Sequence, residues 1–126
     1  MEKPSSTNWL DSQTEPEILS VLRDGNLVEV DILMSVELFQ FQGHFPEQPI
    51  FPGVAQLDWA ARLSAKYFGN LGTIVGLSQI KFTNLIEPGD RLCLTLELQP
   101  EKRRVFFAFK QGENKCSSGC LELSPK

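Results

Sequence analysis

His44 is the one histidine of the 126-residue chain, and it sits in the run Gly43-His44-Phe45-Pro46, ahead of Pro49-Ile50 and Pro52-Gly53-Val54. Fourteen positions after His44, inside a stretch with helical spacing, comes a lone acid, Asp58. A free imidazole titrates near ~6.5, so His44 can be neutral and basic around neutral pH. One such base and one carboxylic acid, each on stiff backbone, are what a reaction that removes one proton and delivers another on a carbonyl compound requires.

Taken singly, each residue has a plainer reading. A lone histidine among prolines is more often structural, and a lone aspartate on a helix is more often solvated. It is the spacing, together with the Pro-Gly helix start, that favours a functional pair. Two influences compete at Asp58. The positive end of the helix dipole favours its charge, but Asp58 lies five residues beyond Gly53, about 7 to 8 Å along the axis, and that influence fades within the first turn. Burial among Leu57, Trp59 and Ala61 disfavours the charge, and the expectation is that burial wins and leaves an acid able to give up its proton. A metal centre is not expected, because one His and scattered acids fall short of three or four ligands. Nucleophilic catalysis is not expected either: Ser64 and the cysteines have no histidine partner in a motif.

The elements that must position this pair follow from the hydrophobic pattern. Residues 18–22 read as a strand closed by Asp24-Gly25-Asn26, and 27–34 alternate apolar and acidic side chains. Residues 53–68 read as a helix, with Val54, Leu57, Ala61 and 63–68 near helical spacing, Pro52 before its first turn and Gly69 after its last. It carries little charge before Arg62 apart from Asp58, so it is expected to be covered on most sides. Residues 73–82, 91–98, 104–109 and 115–123 read as further strands, with Pro88-Gly89-Asp90 as a turn. Two strands, one long helix and four strands make an α+β arrangement, an antiparallel sheet curled around a central helix. The whole chain, 1–126, reads as one domain with a loose arm over 1–15.

Composition bounds the rest. Hydrophobic residues make up 41% and charged residues 22%, which is ordinary globular usage. A net charge of −4 argues against nucleic acid, whose phosphates select a basic surface. No apolar run approaches the roughly 18 to 20 residues of a membrane span, and 1–15 has no apolar core of a secretory signal. The three cysteines, Cys93, Cys116 and Cys120, leave an odd thiol and suit a reducing cytoplasm. Cys116 and Cys120 as metal ligands is a weak reading, since no further Cys or His lies near them in sequence. Phe39, Phe41, Phe45, Phe51, Trp59, Tyr67 and Phe68 cluster around the proposed site; core packing is the default for most of them.

The run 41–46, then Pro49-Ile50, Pro52-Gly53-Val54 and Asp58, resembles the FabZ and FabA families, 3-hydroxyacyl-acyl-carrier-protein dehydratases with the hotdog fold. Ile80-Lys81-Phe82 and Pro88-Gly89-Asp90 are similar to a later strand and turn of that family, so the likeness covers about 18–123. The string Pro52-Gly53-Val54-Ala55-Gln56-Leu57-Asp58-Trp59 looks closest to the ApeI-like dehydratases of aryl-polyene synthesis. The resemblance implies His44 as the base that removes the α-proton of a 3-hydroxyacyl thioester and Asp58 as the acid at the departing hydroxyl. It implies N–H groups at the helix start, Gly53 with Val54, as binders of the thioester oxygen. A helix N-terminus has unpaired donors, Gly53 has no side chain to block approach, and one preorganised donor is worth roughly 3 kcal/mol in acyl chemistry.

The same resemblance implies no metal or redox cofactor, a carrier-protein-bound substrate, and a homodimer or larger assembly whose site takes His and acid from different subunits. Pairing with another hotdog subunit is a further option. Phe45, Phe51 and Trp59 are the residues we expect along an acyl tunnel. Lys81, Arg103 and Arg104 are the basic residues we expect to meet an acidic carrier protein, with a solvated turn the plainer reading of the last two. One position departs from the pattern: where the family commonly has a glutamine four residues after the acid, this chain has Arg62. Its guanidinium would favour the charged carboxylate, so either Arg62 points away from Asp58 or the acid role is shared. Two rivals remain, a hotdog thioesterase and a silent acyl-binding hotdog subunit.

Overall fold

Val28, Val30 and Ile32 alternate with Glu29 and Asp31, and the structure buries all three apolar side chains on one face of a strand. The computed structural model describes residues 15–35, 51–69 and 71–125. In chain order the elements are β1 (Glu17–Asp24), β2 (Leu27–Leu33), α1 (Gly53–Phe68), β3 (Ile74–Phe82), β4 (Arg91–Gln99), β5 (Arg104–Gln111) and β6 (Asn114–Leu123). The six strands form one antiparallel sheet in the order β1-β2-β4-β5-β6-β3, so the strand after the helix crosses to the far edge. This is the α+β hotdog arrangement that the sequence leads one to expect.

Register carries the buried face across the sheet. Val28 stands opposite Leu96, Leu96 opposite Phe107, and Phe107 opposite Gly119. The row beside it runs from Val30 through Leu94 and Phe109 to Ser117. A Cβ on Gly119 would lie 2.2 Å from Cδ1 of Ile80 and 3.1 Å from Cε2 of Phe107, so the missing side chain is what lets β3 and the Phe107 ring close over β6.

The helix lies on this face. Its buried residues, Ala55, Gln56, Trp59, Ala60, Leu63 and Ser64, recur every four positions and form one stripe. Trp59 is fully buried and its ring lies 4.5 Å from that of Phe51. The other stripe, Val54, Asp58, Arg62 and Ala65, faces solvent in the single chain, so the expected covering on most sides is not met. The reason is local: a 100° step per residue turns Asp58 away from the side that Trp59 and Leu63 pack against. Pro52 stands at the N-cap in extended conformation, and Gly69 ends the helix at φ 81° with its N–H bonded to Ala65 O. No described helix is long and apolar enough to cross a membrane.

Candidate active site

The start of α1 is open. Ala55 and Gln56 both donate to Pro52 O at 3.1 Å, which leaves the N–H groups of Gly53 and Val54 unused by the helix. Among the described residues no side chain caps this end and no acid lies in its first turn, so none of them offsets the positive end of the dipole there. The backbone leading into it is held tightly. Phe51 N donates to Ile86 O at 2.8 Å, and Phe51 O accepts from Nε2 of Gln56 at 3.2 Å. Gln56 thus ties the first turn back to the residue just before Pro52, a role that sequence reading missed because it depends on a buried amide folding back along the helix.

Asp58 stands one and a half turns further on the exposed stripe, its side chain 55% accessible. Leu57, Trp59 and Ala61 do not bury it, which corrects the expectation of a desolvated acid within one chain. Arg62 does not point away. Its Nε donates to Oδ2 of Asp58 at 2.9 Å while its Nη1 donates to Oε2 of Glu15 at 2.6 Å. Partial burial pulls the Arg62 pKa down, but hydrogen bonds and charge from Glu15 and Asp58 outweigh that and hold it above its usual value. Glu15, read from sequence as the end of a loose arm, is therefore tied to the helix by an ion pair.

The remaining site residues divide. His44 and Phe45 lie outside the described residues. Phe51 and Trp59 are core side chains, tilted 50° against each other under the helix start. Lys81 is exposed on β3, whereas Arg103 and Arg104 are half-buried and engaged: Arg103 donates to the carbonyl of Ser124, and Arg104 Nε to Gln99 Oε1 at 2.7 Å. Lys81 pairs with Ser118 on β6 and Arg104 with Glu122, so the two lie four residues, about 13 Å, apart along the strand direction. They do not form one basic patch. Phe82 is the residue that sequence reading left without a role. A Cβ on Gly53 would lie 2.8 Å from its Cζ, so its ring rests against the open helix start.

A family model described as ApeI-like, the ApeI dehydratase, matches residues 20–120. The chain belongs to this ApeI-like dehydratase family. Among its relatives is the 3-hydroxyacyl-(acyl-carrier-protein) dehydratase FabZ of Syntrophomonas wolfei, 36% identical over 72 residues, covering 52% of this chain and 50% of the relative. The enzyme of the same name from Oenococcus oeni is 32% identical over 94 residues, covering 66% and 68%. The matched segment thus spans half the length of the first relative and about two thirds of the second.

Among solved structures, the dehydratase heterocomplex ApeI:P from Xenorhabdus doucetiae superposes with a TM-score of 0.83 at 24% identity, over 88% of this chain and 99% of that one. At that identity the likeness speaks for the fold. An uncharacterized protein from Erwinia carotovora subsp. atroseptica superposes with a TM-score of 0.76 at 33% identity, over 87% of this chain and 96% of that one.

Proposed function

We propose that this protein dehydrates 3-hydroxyacyl thioesters carried on acyl carrier protein to trans-2-enoyl thioesters, in fatty-acid or aryl-polyene synthesis in the cytoplasm. The observation that carries the reading is the helix start, where among the described residues the N–H donors of Gly53 and Val54 are unused and Gly53 has no side chain, on the same helix as Asp58. Membership of the ApeI-like family supplies the substrate class.

In the reaction, His44 takes the proton from C2, and the C–H electron pair becomes the C2=C3 bond. The C3–O bond breaks, and the oxygen leaves as water with a proton delivered at Asp58, an acid role shared with solvent because Arg62 stays on the carboxylate. The imidazolium then returns a proton to the carboxylate through solvent, so both groups are restored. Charge that grows on the thioester oxygen meets the N–H groups of the helix start, which are already oriented before the substrate arrives. Elimination of water is redox-neutral and needs no oxidant or reductant.

The working unit is a homodimer, with His44 and Asp58 of one site contributed by different copies. Support comes from the sheet edge. Among the described residues β3 pairs on one side only, with β6, and it leaves Val75 63% and Leu77 49% exposed. A second copy added along that edge would extend the sheet from β3 and approach the helix start, near which β3 ends. The exposed Asp58 agrees, since a partner would complete the cover that one chain lacks. The Arg62 contact is the one observation that favours a second reading, a subunit active only with another hotdog chain beside it.

The test is incubation of the purified protein with 3-hydroxyacyl carrier protein, followed by enoyl absorbance, alongside His44→Ala and Asp58→Asn. Dehydration by the wild type and its loss in both variants supports the assignment. Release of free thiol without enoyl product would make the protein a thioesterase, and activity only on adding another hotdog subunit would support the second reading. Light scattering at the mass of a single chain would overturn the homodimer.

A further inference from the structure

We propose that the ring of Phe82 is a specificity-determining wall of the acyl site, which admits thioesters with an unbranched α-carbon and turns away those that carry a substituent there. The proposal rests on the dehydratase reading above and adds to it a residue from outside the helix.

Phe82 is the last residue of β3 and lies 29 positions from Gly53 in the chain. Three consecutive atoms of its ring edge come close to Gly53: a Cβ built there would stand 3.0 Å from Cε1, 2.8 Å from Cζ and 3.2 Å from Cε2. The ring therefore fills the space a side chain at position 53 would take. Along a helix the Cα–Cβ bond tilts toward the N-terminus, so that space lies at the mouth of the helix, on the side toward which the free N–H groups of Gly53 and Val54 point.

The ring does not serve as core. Phe107 and Phe109 are fully buried, whereas Phe82 is 50% exposed. Its backbone is nonetheless firmly placed. Phe82 pairs with Ser117 on β6, the N–H of Thr83 donates to Cys116 O at 2.8 Å, and the Thr83 hydroxyl donates to Lys115 O at 2.6 Å. A half-exposed aromatic on fixed backbone, with its edge against an open helix start, makes a rigid flank. A ligand carbonyl oxygen held by the two N–H groups puts its α-carbon one bond away from the carbonyl carbon. An unbranched α-carbon passes that flank, and an added methyl meets the ring.

The test compares wild type, Phe82→Ala and Phe82→Leu, each checked for an unchanged fold by circular dichroism and melting temperature. Two readouts are taken. One is kcat/KM for dehydration of an unbranched 3-hydroxyacyl pantetheine thioester against its 2-methyl analogue. The other is the equilibrium affinity for the corresponding unreactive acyl-pantetheine amides, unbranched and 2-methyl. The expected result is a rise of about tenfold in the 2-methyl to unbranched ratio in Phe82→Ala, with Phe82→Leu between, since one methyl in a shaped pocket changes discrimination by about that factor. A ratio unchanged while both values fall together would overturn the proposal and leave the ring as cover for Gly53. If the wild type dehydrates neither substrate, the dehydratase reading fails, and the ratio of amide affinities still decides whether Phe82 is a wall.

Discussion

Nε of Arg62 donates to Oδ2 of Asp58 at 2.9 Å, one helical turn apart, and the other branch of the same guanidinium reaches Glu15 at 2.6 Å. The acid of the proposed site is therefore held from the side by a cation that is itself anchored outside the helix. All three side chains are exposed enough for solvent to screen them, so the network contributes little to stability, less than about 1 kcal/mol. Its effect is on orientation: it selects one position of the carboxylate.

Arg62→Leu removes that restraint, and Arg62→Gln keeps an N–H donor while removing the charge. We expect Arg62→Leu to lower kcat about tenfold with KM and melting temperature little changed, the mark of a positioning contact. Arg62→Gln should stay within about twofold of wild type, since a glutamine amide can also donate to a carboxylate. Steady-state kinetics and thermal melts check both. Equal losses in the two variants would show that the charge, rather than the direction of the bond, is what matters.

Trp59 fixes the helix to the sheet. It is fully buried against Phe51, so truncation leaves a large cavity at the helix start. Trp59→Ala should cost about 3–5 kcal/mol in denaturant unfolding. Trp59→Phe should cost a small part of that. A loss under 1 kcal/mol for the alanine would place the indole outside the core.

Gly119 lies where β3 closes over β6. Added carbon there meets Ile80 Cδ1 and the ring of Phe107, and the latter has no room to withdraw. Gly119→Ala should lower stability by roughly 1–3 kcal/mol through overpacking. Ile80→Val made with it should recover part of the loss, and a double-mutant cycle by urea unfolding measures the coupling.

Burial pushes up the thiol pKa of both Cys93 and Cys116, with the charges of Glu29 and Asp31 adding to the effect at Cys93 and that of Asp90 at Cys116. The native state then holds these protons to higher pH than the unfolded chain does. Their contribution to stability is complete below the unfolded thiol value of about 8.5 and declines as pH rises above it. Unfolding free energy measured from pH 8 to 10 should fall across that range, and Cys93→Ser with Cys116→Ala should flatten the slope. Iodoacetamide should label Cys116 of the native protein more slowly than a free thiol at pH 8, because less thiolate is present and the side chain is buried.

Much of the architecture can be read along the chain because its signals are local. Alternation at Val28, Val30 and Ile32 marks a strand with one buried face, and the start at Pro52-Gly53 and stop at Gly69 match the observed helix residue for residue. These depend on backbone preference and on side-chain period, and neither needs a distant partner. The open helix start is legible for the same reason: Gly53 and the lack of a capping side chain are visible in sequence.

Contacts between residues far apart in sequence are what tertiary structure alone decided. Helical spacing alone puts Arg62 within reach of Asp58, but nothing local shows that the pair stands in solvent or that Glu15 joins it, because that depends on which stripe the sheet covers and on where Glu15 comes to rest. Nothing in Lys81-Phe82 shows that the ring will settle against Gly53; that needs β3 to cross the sheet, pair with β6 and end beside the helix. Residue type and spacing determined which groups this chain has for moving protons. Strand order and packing determined what stands next to them, because proximity across a folded chain is set by the sheet as a whole and is not a property of any one segment.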